Sequence, residues 1–326
     1  VWTPAKHLKF ARRLVYRHSR SMDPVSQAAL GAACAQTTHR AALGWLALFG
    51  AAGGMAPDLD VFINSERDPL LFLEYHRQFS HSLLFIPLGG LLVTVALFWL
   101  PKQPLSFALA YLASTAGFAS HGPLDACTSY GTQLFWPISD VRISWNTISV
   151  IDPLFTLPLV AFVVVGVRRK SRVFAAAGLC WALGYLAVGQ WQQQRVSTAV
   201  ASLADARGHQ PERLLVKPAF GNLLLWKSVY LHDGAFYVDG HRAATEVTGC
   251  GGEQIAELNV TEQFAQLTPP HQQARDIERF RWFSMNYLAV LDTSDKPLII
   301  DVRYANLPNR IEPLWGIVVD PTAAPE

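Results

Sequence analysis

Five runs of apolar residues, at 41–57, 83–100, 105–120, 154–167 and 173–190, contain no Asp, Glu, Lys or Arg. Each approaches the roughly 20 residues that carry a helix across a bilayer core. They predict a mainly α protein, a multi-pass transmembrane helical bundle of about five spans. The first run holds Gly44, Gly50, Gly53 and Gly54, small residues that let helices approach closely in lipid. Composition agrees: 51% of the 326 residues are hydrophobic and 16% charged, where a soluble domain carries about a quarter charged.

The spans divide the chain. Residues 1–21 form a basic extension ahead of Met22, which has the look of a natural start, and they lack the apolar core of roughly 7–15 residues that marks a cleavable signal peptide. Residues 22–190 hold the membrane helices and the chemistry-bearing residues. After Gln190 the pattern changes to alternating β-rich runs such as LLLWKSVYLH and PLIIDVRYA, so 191–326 is expected to be an extramembrane soluble α+β domain with an antiparallel sheet.

Lys and Arg in short loops mark the cytoplasmic side. Lys6, Lys9, Arg12, Arg13, Arg17, Arg20 and Arg40, Lys102, and the run Arg168, Arg169, Lys170, Arg172 would share one face, against Arg67, Arg77 and Arg142 on the other. Five spans then leave the C-terminal domain extracytoplasmic. The net charge of +2 is too small to suggest a nucleic-acid partner. Cys34, Cys127, Cys180 and Cys250 are widely spaced, so any metal must be held by His and carboxylates.

On that outer face several polar residues collect at helix ends: Asp58 and Asp60 in APDLD, Glu74, His76, Arg77 and His81 in EYHRQFSHS, His121 and Asp125 in HGPLD, and Asp152 in IDP. In HxxxD the two side chains share one helical face if the helix runs through Gly122 and Pro123, and can then chelate one ion. His76 and His81, five apart, fall on a turn or serve two ions. Asp58 and Asp60, two apart, form a paired or bridging carboxylate set. A mixed His/Asp shell suits Zn, Mn or Fe better than Ca or Mg. Asp58 and Asp152 have an alternative use as helix caps, and Arg77 as an interfacial anchor. His7, His18 and His39 fall on the opposite face.

At these residues the sequence resembles the YdjM/YbcI family of inner-membrane metal-dependent hydrolases, also described as LexA-binding. The resemblance rests on MDPVSQAALG at 22–31, APDLDVF at 56–62, YHRQFSHSLLF at 75–85, HGPLDACTSYGTQLFWP at 121–137 and IDPLFTLPL at 151–159. It implies a bacterial inner-membrane location and puts Asp58, Asp60, His76, His81, His121 and Asp125 at metal and active-site positions. The family is similar in turn to zinc-dependent phospholipases C and P1 nuclease. Ser26-Gln27 stands where many members have Thr-His, and no second HxxxD or HxxxE follows residue 125, which implies one or two metals rather than three. If Gln27 belongs to the site, residues 24–36 must form a sixth crossing helix.

Together these readings predict a membrane-bound metal-dependent hydrolase of a phosphoester or lipid-headgroup substrate. Asp60, His76, His121 and Asp125 are the expected ligands of a divalent metal, with zinc first. Asp58 and His81 are the expected catalytic or additional ligand groups, and Arg77 the substrate-binding residue. The expected partners are membrane lipids and a small-molecule or lipid substrate. The alternative is a non-enzymatic membrane protein with a structural His/Asp metal site and a partner-binding C-terminal domain.

Overall fold

The computed structural model describes residues 23–65, 68–267, 271–292 and 296–320. The basic extension, with His7 and His18, and Arg67 lie outside these residues. About half of the chain is helical, and each of the five apolar stretches is a helix: α2 (Leu43–Met55), α4 (Ile86–Leu97), α5 (Phe107–Ala126), α6 (Pro153–Arg169) and α7 (Arg172–Ala206). Two more precede or interrupt them, α1 (Pro24–Thr38) and the short α3 (Leu71–Tyr75). By length and composition α7 can cross a membrane alone; Leu71–His81 and Leu83–Leu97, bent by 57°, reach that length as a pair.

Six of these helices pack up and down. The α1 helix, capped by the Asp23 carboxylate, crosses α2 where Gly31 meets Gly50 and Gln27 meets Gly54. The close approach leaves no room for side chains: a Cβ on Gly117 of α5 would stand 2.0 Å from the Gly50 carbonyl oxygen, and one on Gly54 2.4 Å from that of Gln27. Gly89 and Gly90 of α4 lie against Phe118 and Thr115 of α5. The α6 helix runs alongside α1, with Gln36 Nε2 donating to the Val163 carbonyl at 3.3 Å. Hence α1, α4 and α6 begin at the same end of the bundle at which α2 and α5 finish. The connections at the opposite end carry Arg40, Lys102, Arg168, Arg169, Lys170 and Arg172. Many large apolar side chains on the outer faces are exposed, among them Leu88, Leu92, Leu112, Leu157, Val173 and Leu183, a pattern that suits lipid rather than water.

The C-terminal region contains the expected antiparallel sheet. Strands β1 (Arg213–Pro218), β2 (Leu225–His232), β3 (Ala235–Ala243) and β4 (Val247–Ala256) form a meander in sequence order, and β5 (Leu288–Leu291), β6 (Leu298–Asp301) and β7 (Gly316–Val318) form a second sheet. Two short helices, α8 (Val260–Gln263) and α9 (Gln272–Phe283), lie between them in the chain. The long α7 joins the two halves: Val196, Val200 and Ala204 at its end pack on Val216, Trp226 and Tyr230 of the first sheet. The core around α9 and the second sheet also takes in Leu70 and Leu73, from the segment that leads to the His/Asp residues. Arg279 of α9 holds that segment by a two-pronged pair with Asp68 at 2.9 Å and by an ion pair with Glu74.

Candidate metal centre

Three helices and one loop build the site at the end of the bundle nearer the sheets. Helix α5 continues unbroken through Gly122 and Pro123, so His121 and Asp125 do project from one face. After α2 the chain tightens into a 3-10 segment, Ala56–Phe62, that turns Asp58 and Asp60 toward α5. A second 3-10 turn, Phe79–His81, delivers His81. The loop between them is strained: Arg77 has φ 65°, a left-handed conformation that costs a bulky residue roughly 1–3 kcal/mol. Its backbone N–H donates to Asp60 Oδ2 at 3.0 Å, which helps to hold it there.

The two imidazoles at the centre are fixed from behind. His121 Nδ1 donates to the Gly54 carbonyl oxygen at 2.6 Å. His81 Nδ1 faces Ser80 Oγ at 3.0 Å, with Asp60 Oδ2, which takes the Ser80 hydrogen, at 3.2 Å. With the Ser80 hydrogen committed to Asp60, the groups facing both Nδ1 atoms accept, which places a proton on each Nδ1 and turns each Nε2 toward the centre. Those two Nε2 atoms face each other at 2.8 Å. At that separation the two nitrogens can share a proton or bind one metal ion together.

Carboxylate oxygens surround the same point. Asp125 Oδ2 lies 3.2 Å from His81 Nε2 and 3.8 Å from His121 Nε2, and Asp58 Oδ1 lies 3.6 and 3.5 Å from the same atoms. Neither oxygen of Asp58 receives a hydrogen bond, although both are buried, and Asp125 Oδ2 has Arg77 Nε as its charged partner at 3.0 Å. A tetrahedral ion with metal–donor bonds of about 2.0–2.2 Å has donor–donor edges of about 3.4 Å. The observed spacings bracket that value, so Asp58, His81, His121 and Asp125 could hold a metal ion. A second set, Asp58, Asp60 and His76, shares Asp58 with the first.

Asp60 differs from Asp58. It is 4% exposed and surrounded by donors: His76 Nδ1 at 2.7 Å, Ser80 Oγ at 2.7 Å and the Arg77 amide, besides His81. Burial pushes both carboxyls up, and the neighbouring histidines more than offset it, so both lie below the usual carboxylate range. Asp125 is held on its other side by Gln27 Nε2, which donates to Oδ1 at 2.9 Å, and by Arg77 Nε, 3.0 Å from Oδ2. The Arg77 guanidinium also donates to Thr128 Oγ1 at 2.9 Å and lies over the Tyr130 ring.

The matched region of the chain covers this whole arrangement. The model of the YdjM inner membrane protein family matches residues 22–196. The chain belongs to that family. No curated protein and no solved structure matches it. The YdjM match takes in α1 through most of α7 and every residue of the His/Asp cluster, and it stops short of the sheets.

The expected ligands His121 and Asp125 lie in the four-residue set with Asp58 and His81, while Asp60 and His76 lie in the second set; Asp152 and Glu74 lie in neither. Asp152 caps α6, accepting from the amides of Leu154 and Phe155, and binds Tyr185; Glu74 faces Arg279. Arg77 is 1% exposed, with its guanidinium directed at Asp125 and Thr128. Residues 24–38 are a helix with Gln27 at the site, which adds a sixth helix to the five expected in the bundle among the described residues. Ser80, missed in the sequence, is legible only as the hydroxyl beside His81 in QFSHS.

Proposed function

We propose that this chain is a multi-pass inner-membrane metal-dependent hydrolase whose substrate is a phosphoester of lipid-headgroup type on the extracytoplasmic face. The observation that carries the reading is the facing of two Nε2 atoms at 2.8 Å beside the Asp58 carboxylate, whose oxygens are buried without a hydrogen bond. In this reading His81, His121, Asp58 and Asp125 hold the ion, with zinc the first candidate. Asp60 then orients His81 and His76 in the way a carboxylate commonly backs a ligating histidine, and Gln27 and Arg77 orient Asp125. When bound, a divalent ion supplies Lewis acidity and acidifies water to near neutral pH. His76, 7% exposed and with Nδ1 committed to Asp60, is the residue best placed to pass a proton.

Two observations support the substrate class and the side. Leu59 and Phe62, in the same 3-10 segment as Asp58, and Leu84, just after His81, are 61%, 76% and 61% exposed, which gives the site an apolar border suited to a lipid. The six basic residues at the far end of the bundle favour that end as cytoplasmic, so the site faces outward.

A structural ion is the second reading, because four protein donors fill a tetrahedral shell and three of them are fully buried. Purified protein loaded with zinc and offered phosphomonoester and phospholipid substrates separates the two. Hydrolysis that disappears in His81→Ala and His121→Ala supports the enzyme. Metal-dependent stability with no turnover on any of these substrates assigns the ion to structure.

A further inference from the structure

Below the metal centre, where the bundle loops meet the sheets, Lys217 and Lys227 stand directly opposite each other on β1 and β2. Like charges in that register repel. Both line a cavity of about 30 Å³ together with Ser129, Ser149, Phe220 and Tyr304, twice the room that a single water needs. Lys227 is 3% exposed and donates to the Arg310 carbonyl oxygen at 2.7 Å. Lys217 Nζ sits 3.9 Å from the centre of the Tyr304 ring. Lys227 is buried and Lys217 partly so, and buried charges are normally paired, yet neither lysine has a carboxylate partner among the described residues. The nearby Asp301 is taken by Arg303, with its closest contact at 2.6 Å, and Glu253 is taken by Arg310 and the Ile311 amide. Burial, and next the charges of Lys227 and Arg303, push Lys217 down to about 7; burial does the same to Lys227.

The remaining donors also lack acceptors. Tyr304 is 3% exposed and its hydroxyl has no hydrogen-bond partner. The Ser149 hydroxyl accepts from the Gly221 amide at 3.3 Å, which leaves its own hydrogen to donate. We infer that this cavity is a binding site for a tetrahedral oxyanion of phosphate type, held by Lys217 and Lys227 with the hydroxyls of Tyr304 and Ser149. Two ammonium groups match a dianion. The same chemistry is offered by free phosphate and by a phosphatidic-acid headgroup.

Amine acylation of the full chain tests the site, read at each lysine by peptide mass spectrometry with chelator present, so that the metal centre does not contribute. One arm adds inorganic phosphate, with chloride at matched ionic strength as control; the other compares nanodiscs of phosphatidylcholine with and without phosphatidic acid. Phosphate or phosphatidic acid should slow acylation of Lys217 and Lys227 roughly tenfold and leave other lysines unchanged, and the arm that protects names the source. Lys217→Met should abolish protection at Lys227, and Tyr304→Phe should raise the phosphate concentration needed for protection at least about tenfold, since a hydrogen bond to a charged group is worth about 1.5–3 kcal/mol. Unchanged acylation of both lysines in both arms, or equal protection by chloride, would overturn the assignment.

Discussion

Asp58 and Asp60 are two residues apart and identical in chemistry, yet their surroundings predict opposite responses to the same change. Asp58 receives no hydrogen bond, and the imidazole nitrogens nearest to it stand at 3.5 and 3.6 Å. Replacing it with Asn keeps the shape and breaks no hydrogen bond, so in chelator the cost should be about 1 kcal/mol, the scale of one weak polar interaction. With metal present the variant loses an anionic ligand. A hundredfold loss of affinity removes about 2.7 kcal/mol of ligand-linked stability, which brings the total to roughly 4. Asp60 accepts from four groups, and Asn would turn an NH₂ toward donors. Breaking such a buried charged network costs about 3–5 kcal/mol, with or without metal, because the bonds lost lie within the protein. The assay is unfolding of the detergent-solubilised chain, followed by tryptophan fluorescence, with chelator and with saturating zinc. If Asp58→Asn costs the same in both conditions, or if the cost of Asp60→Asn vanishes in chelator, the division into ligand and orienting carboxylate is wrong.

Other outcomes follow from the packing and the charges. Gly117→Ala places a methyl group 2.0 Å from the Gly50 carbonyl oxygen, and the helix shift it forces should lower stability by about 1–3 kcal/mol, read as a lower melting midpoint. Ending the chain at residue 195 would bare Leu70 and Leu73, each worth roughly 1.5–3 kcal/mol when buried, and remove Arg279 from Asp68 and Glu74; the shortened protein should bind less metal and aggregate on size-exclusion chromatography. A topology reporter at Arg169 should read as cytoplasmic and one after Asp320 as extracytoplasmic, and the reverse pair would turn the site toward the cytoplasm.

Much of this was legible in the sequence because the relevant signals are local. Apolar runs without charge announced five helices, the glycines of α2 announced close packing, and HxxxD announced a shared face, which Pro123 did not break. Helix α1 was harder to read because Ser26, Gln27 and Gln36 interrupt it, and these polar residues are buried only because α5 and α6 supply partners. The roles of Asp58 and Asp60 could not be separated by spacing, since both lie in one short motif and differ only in which donors reach them. The insertion of Leu70 and Leu73 into a core built mainly from residues beyond 257, and the facing of Lys217 and Lys227, depend on long-range pairing that no local pattern encodes.

The proposed function depends on a metal ion held by His81 and His121. Its most direct test is the metal content of the full chain, purified without chelator and after zinc titration, beside His81→Ala and His121→Ala. At least one tightly held divalent ion per chain is expected, with an X-ray absorption signature of mixed imidazole and carboxylate ligation, and its loss in both variants. Protein that binds no divalent metal, or variants that retain it in full, would refute the metal centre and leave a proton between the two histidines.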